Sequence, residues 1–372
     1  MSFTELEKKR YSRHFQLQEI GEQGQAKLKS ASVLVIGAGG LGCPVLQYLA
    51  AAGVGNIGIM DFDVVEASNL QRQILFNESD IGKSKASCAA DRLNTFNPHI
   101  RVTAINEKLT TLNIRSIFSE YEIIVDGTDN FATRYLINDG CVLLDKPFVF
   151  GSLYKFSGQV SVFNYLNSDG SRSATYRDLF PVPPDPGTVS DCVDSGVLGS
   201  VAGIIGTIQA TEVIKLITAS GNSLAGSILM INAGNLEFKK WNISPASNHE
   251  GTPNSWEELV NFDYEFFCNS VVDSSIDSEE FNEIRRNQLP VQIIDVREKW
   301  EAEETPIPGA ISIPLHELAS NLVQLNPLGK IVIVCAEGKR SKLAVIILRN
   351  AGFKDVKSLD QGIIDILENS QG

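Results

Sequence analysis

The sequence predicts an α/β protein: a doubly wound, mainly parallel sheet domain followed by a second, smaller α/β domain. Three observations predict it. Short apolar runs of strand length alternate with helical patterns. The first run passes through a glycine-rich turn into an apolar helix, the opening of a βαβ unit. A fresh strand–helix alternation then begins near Ile276, after a stretch rich in Asn, Ser, Pro and Gly. A chain of 372 residues suits two or three domains. The reading is a first domain over 1–245, a linker over 246–274 and a second domain over 275–372.

Taken in order, residues 5–28 read as one helical, amphipathic segment. Residues 32–36 (SVLVI) form the first strand, which ends in Gly37-Ala38-Gly39-Gly40-Leu41-Gly42. An apolar helix follows, then a second strand ending at Asp61. Further strands are expected at 101–105, 122–126 and 147–151. In the second domain, strands are expected at 291–295, 331–334 and near 356–359, with a helix at 341–351.

Composition narrows the function classes. The chain carries 32 Lys plus Arg against 45 Asp plus Glu, a net charge of -13, which repels a phosphate backbone and argues against nucleic-acid binding. The charged N-terminus has no apolar core and is not a secretory signal. Residues 196–219 are apolar, but Thr207, Gln209, Glu212 and Lys215 interrupt them, so a buried helix is expected rather than a membrane span. Six cysteines without a CxxC pair make no disulfide framework and fit a reducing cytoplasm.

Gly37, Gly39 and Gly42 fit G-x-G-x-x-G between a strand and a helix. Absent side chains let backbone N–H groups approach a phosphate at the positive helix end. Asp61, closing the next strand, is placed to accept from a ribose hydroxyl. Alone, this turn fits a dehydrogenase as well as any other nucleotide-binding protein. The run from Asp61 to Gln73 (DFDVVEASNLQRQ), then Lys85, then Asp126-Gly-Thr-Asp129-Asn130, favours a triphosphate. An arginine and a lysine neutralise its charge, and an aspartate at a strand end holds magnesium. Asp63 reads only as a cap for the following turn.

GAGGLG, DFDVVEASNLQRQ, GTDN and CVDSGVLG resemble, in order and spacing, the ThiF and MoeB-type adenylyltransferases, relatives of ubiquitin-activating enzymes. The resemblance covers about 10–245. It implies ATP and Mg2+ as cofactors. Gly37, Gly39, Gly40, Gly42, Asp61, Asn69, Arg72, Gln73 and Lys85 would hold the nucleotide, and Asp129 the magnesium. Arg13, in the RYxRH-like segment Arg10-Tyr-Ser-Arg13-His14, would reach a neighbouring subunit's ATP site, so the resemblance implies a homodimer. It further implies a ubiquitin-like sulfur-carrier protein with a Gly-Gly C-terminus as partner. A carboxylate is already ionised at pH 7, so its attack on the α-phosphate needs positioning and charge shielding rather than a base.

Cys192 occupies the place of the family's reactive cysteine, ready to attack the adenylate or to resolve an acyl disulfide. Cys43, Cys88, Cys141 and Cys268 read as packing. The family's usual zinc-binding cysteines are replaced: one segment reads Thr175-Tyr-Arg-Asp178, the other ends at His249, and four ligands cannot be assembled. No zinc site is expected.

In the second domain, Asp295-Val-Arg297-Glu298, Pro308-Gly-Ala and Cys335-Ala-Glu-Gly-Lys-Arg340-Ser341 resemble a rhodanese domain over about 275–372. Cys335 matches its sulfur-carrying cysteine. Loop N–H groups, a helix N-terminus, Lys339 and Arg340 are expected to favour a sulfur anion there. The sulfur donor would be thiosulfate or a cysteine-desulfurase persulfide. Together the resemblances imply carrier adenylation followed by conversion to a thiocarboxylate, of the molybdopterin type, with thiamine and tRNA-thiolation carriers as alternatives. Rival readings are a ubiquitin-like activator with a thioester at Cys192, and a nucleotide-binding scaffold with an inactive rhodanese module.

Overall fold

The computed structural model describes residues 2–184, 196–245, 252–269, 275–287, 290–360 and 362–363. Its described residues divide into two compact units. The first comprises 2–179, 196–245 and 254–260; the second comprises 180–184, 252–253 and those from 261 onward.

The first unit is an eight-stranded sheet. Its strands are β1 (Ser32–Ile36), β2 (Asn56–Met60), β3 (Arg101–Ile105), β4 (Ile123–Asp126), β5 (Phe148–Tyr154), β6 (Ser157–Phe163), β7 (Ser227–Asn232) and β8 (Glu237–Asn242), in the order β3-β2-β1-β4-β5-β6-β7-β8. β3 to β5 are mutually parallel, as the apolar runs predicted; the β5–β6, β6–β7 and β7–β8 pairs are antiparallel. The change of sense begins at a two-residue turn, where Lys155 takes a left-handed φ of 54°. β1 lies between β2 and β4, so the chain winds away from it on both sides. That opens a crevice beyond the strands' carboxyl ends, the switch point at which such sheets bind ligands.

Val33, Leu34 and Val35 of β1 are fully buried because helices cover both faces of the sheet. The helix Gly42–Ala52 follows the glycine turn and ends at Gly53, whose φ of 83° forms a left-handed cap. The helix Gly199–Thr218 is long and apolar enough to cross a membrane, yet one face packs on this unit's core: a Cβ at Gly206 would lie 2.5 Å from the Leu41 carbonyl. The expected single helix over 5–28 is instead three: Glu5–Arg10, Ser12–Phe15 and Gly21–Ser30. The first break follows from Tyr11, which turns inward under Gly53 and accepts from Asn97 Nδ2 at 2.9 Å. The second precedes Gly21, whose φ of 57° is incompatible with a continuous helix.

The second unit is a five-stranded, all-parallel sheet, ordered β11-β10-β12-β13-β9. Its strands are β9 (Ser275–Ile276), β10 (Val291–Asp295), β11 (Ala310–Ser312), β12 (Lys330–Val334) and β13 (Val356–Leu359). β12 runs directly into Cys335, and the helix Lys339–Asn350 follows. The described residues of the 246–274 segment include two helices, Trp256–Asn261 and Tyr264–Asn269. Their aromatic side chains need cover. Arg115 stacks over Trp256 at 5.2 Å, and Phe262 packs on Tyr264 and Phe267.

Candidate active site

The crevice beside β1 is built from close backbone approach. A Cβ at Gly37 would lie 2.7 Å from the Gly127 carbonyl, and one at Gly42 would lie 1.9 Å from the Gly37 carbonyl. Gly39 differs: its Cβ would meet nothing nearer than Gln73 Nε2 at 3.8 Å, so its outer side is open. Asp61 binds the turn itself. Its Oδ2 accepts from the Ala38 N–H at 2.7 Å and its Oδ1 from the Asp63 N–H at 2.8 Å. Burial pushes its pKa up, against the pull of those two N–H groups. Each oxygen keeps a further lone pair for a hydroxyl donor.

Lys85 is buried, and its Nζ donates to Asp63 Oδ2 at 3.0 Å. Asp63 is therefore the partner that keeps a buried ammonium beside the crevice, which corrects its reading as a turn cap. Asn69 is buried, with Oδ1 accepting from the Glu66 N–H at 3.2 Å. The Arg72 and Gln73 N–H groups both donate to the Asn69 carbonyl, so this short turn aims their side chains together. Arg72 lies across the glycine turn, its Cγ and Cδ 3.5 Å from a Cβ at Gly40, and its Nη1 donates to the Ser68 carbonyl. Gln73 is 4 % exposed, and its Oε1 has no hydrogen-bond partner. The amide nitrogen of Gln73, a donor, is the side-chain atom that faces the open side of Gly39.

Asp129 lies on the loop after β4. Among the described residues its exposed carboxylate makes no hydrogen bond or ion pair. The loop beneath it is bolted down. Buried Asp126 accepts from Arg134 Nε at 2.8 Å, from the Thr128 N–H at 2.8 Å and from Thr128 Oγ1 at 2.5 Å. Arg134 Nη2 also donates to the Thr128 carbonyl at 3.1 Å. Burial opposes the Arg134 charge, but Asp126 beside it prevails and raises its pKa. Sequence reading missed Arg134; a buried aspartate at a strand end, which demands a cationic partner, was the signal.

The remaining predicted residues fall elsewhere. Arg13 is exposed and donates to Gln16 Oε1 at 3.2 Å; none of its described contacts joins it to the glycine turn. Cys192 and His249 lie outside the described residues. Among the described residues no group of three or more His, Cys, Asp or Glu side chains is disposed to hold a metal. Asp178 instead accepts from the Thr175 N–H and hydroxyl. Arg177, beside it, grips Asp139 with two buried hydrogen bonds of 2.8 and 2.7 Å. Burial pushes the Cys43 thiol up to about 12 and Cys141 well above its ordinary value, so both stay protonated.

In the second unit, Cys335 is 1 % exposed, and its Sγ accepts from the Ser341 N–H at 3.3 Å. Gly338 holds the loop in a left-handed φ of 82°, where a Cβ would lie 2.0 Å from the Asp360 carbonyl. Arg340, expected to serve the sulfur, is held by both oxygens of Glu301. Lys339 opens the following helix, and its side chain lies outside the described residues. Arg297 is likewise committed, to Asp295 and Thr305.

A switch-point crevice with a glycine turn, two cations and an unpaired carboxylate defines a nucleotide-handling α/β enzyme, joined to a separate thiol-bearing unit. The sequence matches the ThiF family over residues 11–252 and the rhodanese-like domain over 277–369; the chain belongs to the ThiF family. It is 44 % identical over 365 residues to "Probable adenylyltransferase/sulfurtransferase MoeZ" of Mycobacterium tuberculosis, covering 95 % of this chain and 91 % of that protein. It is 46 % identical over 270 residues to the sulfur carrier protein adenylyltransferase of Thermus thermophilus, covering 72 % of this chain and 99 % of that protein. E. coli MccB, solved with AMPCPP and MccA, superposes with a TM-score of 0.52 at 25 % identity, covering 64 % of this chain and 72 % of that one. The chain is an enzyme of adenylyltransferase and sulfurtransferase type.

Proposed function

We propose that the first unit uses ATP to adenylate the C-terminal carboxylate of a small ubiquitin-like sulfur-carrier protein ending in Gly-Gly. The second unit then supplies sulfur from a Cys335 persulfide, leaving the carrier as a thiocarboxylate. The observation that carries the nucleotide half is the glycine turn at the switch point, open at Gly39 with Gln73 Nε2 facing it and Arg72 across the same turn. The names of the relatives support the carrier and the sulfur: one adenylylates a sulfur carrier protein, and another is an adenylyltransferase/sulfurtransferase.

In this reading Asp61 accepts from the ribose, and the glycine-turn N–H groups, Asn69, Arg72 and Lys85 face the phosphates. The ionised carrier carboxylate attacks the α-phosphorus and pyrophosphate leaves. Arg72 and Lys85 screen the incoming carboxylate from phosphate charge and stabilise the departing group. Asp129 would hold magnesium, which supplies further charge neutralisation to the phosphates. The terminal sulfur of the Cys335 persulfide next attacks the acyl carbon and AMP leaves, giving an acyl disulfide. A second thiolate, for which Cys192 is the candidate, cleaves its S–S bond. That step releases the thiocarboxylate and leaves a Cys192–Cys335 disulfide for a cellular thiol to reduce. Arg13 serves the partner subunit of a homodimer. The setting is cytoplasmic, the donor is thiosulfate or a desulfurase persulfide, and the pathway is of the molybdopterin type.

The test is ATP–pyrophosphate exchange by the full chain with Gly-Gly carriers, followed by thiocarboxylate formation with a sulfur donor. Exchange should require a carrier and should fall at least about a hundredfold in Asp129→Ala, the scale of losing one charge-stabilising group. No exchange with any Gly-Gly carrier, or full exchange in Asp129→Ala, overturns the adenylation mechanism.

A further inference from the structure

The residues on either side of Arg13 hold it in place. The helix that carries it, Ser12–Phe15, is a single turn of four residues, too short to persist by its own hydrogen bonds. Its position therefore comes from its neighbours. Tyr11 is buried, and its hydroxyl accepts from Asn97 Nδ2 at 2.9 Å. Phe15 meets Phe3 edge to face at 5.4 Å. His14 Nδ1 lies 2.8 Å from Gln25 Oε1.

The Asn97 and Gln25 amides, both fully buried, share one destination. Asn97 Nδ2 also donates to the Ala50 carbonyl at 2.7 Å, and Gln25 Nε2 donates to the Ala52 carbonyl at 2.8 Å. Those carbonyls lie in the last turn of the helix Gly42–Ala52, where helical donors run out. With the Gln25 amide nitrogen turned to Ala52, its Oε1 is the acceptor for His14, and Nδ1 is the donor. The same helix begins at the glycine turn. At 1.5 Å per residue its 11 residues span about 16 Å, more than an arginine side chain. Arg13 is thus anchored at the end of the helix away from its own subunit's phosphate turn. Arg10 is spent locally, its Nη2 donating to the Phe96 carbonyl at 2.6 Å and its guanidinium lying over the Phe96 ring. Arg13 points outward and holds only Gln16 among its described contacts.

We propose that His14 is a positioning residue whose effect falls in the partner's active site: through Gln25 it fixes the one-turn helix from which Arg13 reaches the neighbouring subunit's nucleotide. This rests on the reading that Arg13 serves a partner subunit. Without the imidazole, Gln25 Oε1 loses its donor and the turn loses its tie to the helix Gly42–Ala52. The glycine turn, Arg72, Lys85 and Asp129 of the same subunit are untouched, so the defect is exported to the other site.

The experiment uses the full chain and carrier-dependent pyrophosphate exchange, with variants paired by subunit exchange. His14→Ala alone should lose exchange about tenfold, the scale of one buried hydrogen bond. His14→Asn, which sets an amide donor near the Nδ1 position, should keep most of it. Mixing locates the defect. With Asp129→Ala, the His14→Ala subunit keeps its own Asp129 and receives a well-placed arginine, so about a quarter of wild-type exchange should appear. With Arg13→Ala, no site receives a well-placed arginine, and exchange should stay below about a tenth of wild type. A His14 that only supports its own subunit's fold gives the reverse pattern, recovery with Arg13→Ala and none with Asp129→Ala. A fluorescent tag on one variant and a quencher on the other confirm that mixed dimers form. Recovery with Arg13→Ala, wild-type exchange in His14→Ala, or His14→Asn as impaired as His14→Ala overturns the proposal. So do mixed dimers with Asp129→Ala that stay inactive while the Arg13→Ala and Asp129→Ala pair recovers. Mixed dimers of that control pair with no recovery would instead refute the partner-site reading beneath it.

Discussion

At residue scale, two glycines of one turn make opposite demands. Gly42 faces the protein's own backbone, and a Cβ there would sit 1.9 Å from the Gly37 carbonyl. Gly39 faces open space, and its φ is outside the left-handed region. Gly42→Ala should therefore unfold or severely destabilise the first unit, read as lost cooperative thermal unfolding. Gly39→Ala should leave the melting temperature of the free protein within a few degrees, because nothing in the protein meets the methyl. It should weaken ATP binding at least about tenfold, measured by calorimetry, if a phosphate approaches the turn there. Equal ATP affinity in Gly39→Ala would remove the phosphate from that side of the turn.

At the scale of single elements, two ion pairs fix segments that carry function. Arg177 and Asp139 are both almost fully buried, so Arg177→Met removes the cationic partner of an interior carboxylate that also accepts from Asn138 Nδ2. Such a loss costs about 3–5 kcal/mol, and the chemical-denaturation midpoint of the first unit should fall accordingly. Glu301 ties the helix Lys299–Glu304 to the sulfur loop through Arg340, and that hydrogen bonding holds its pKa at about 2 against an ordinary 4.5. A depressed carboxylate stabilises the fold fully above its unfolded pKa, and that contribution drains away as pH falls from about 4.5 toward 2. Glu301→Gln should lower stability at neutral pH and flatten the acid dependence of the second unit in that window, followed by Trp300 fluorescence. An unchanged acid profile would show that the pair contributes nothing to stability. How much of this was legible follows from range. β1, β2 and β4 are apolar runs closed by a glycine or an aspartate, so local pattern suffices to place them. β8, Glu237–Asn242, is exposed along its whole length and carries no alternation of buried and open positions. The partnerships of Arg134 with Asp126 and of Lys85 with Asp63 span 8 and 22 residues across folded loops, and no periodicity announces them.

At the scale of the whole molecule, the decisive question is whether one chain completes its own adenylation site. Arg72, Lys85 and Asp129 surround the crevice, while exposed Arg13 holds only Gln16 among its described contacts. If Arg13 serves a partner copy, a symmetric dimer contains two composite sites, each with Asp129 from one subunit and Arg13 from the other. Arg13→Ala alone and Asp129→Ala alone should then both lose carrier-dependent pyrophosphate exchange. Mixed and allowed to exchange subunits, the two inactive proteins regain one intact site per heterodimer: the Arg13→Ala subunit keeps its own Asp129 and receives arginine from its partner. Random pairing makes half the dimers mixed, and one of two sites in each is complete, so about a quarter of wild-type exchange should return. Labelling one variant with a fluorescent tag and the other with a quencher tracks subunit exchange independently. Mixed dimers that form without recovered activity would place Arg13 outside the chemistry, and full activity in Arg13→Ala alone would make each subunit self-sufficient. Cys335→Ala is the internal control, since sulfur transfer follows adenylation: it should keep pyrophosphate exchange while abolishing thiocarboxylate formation.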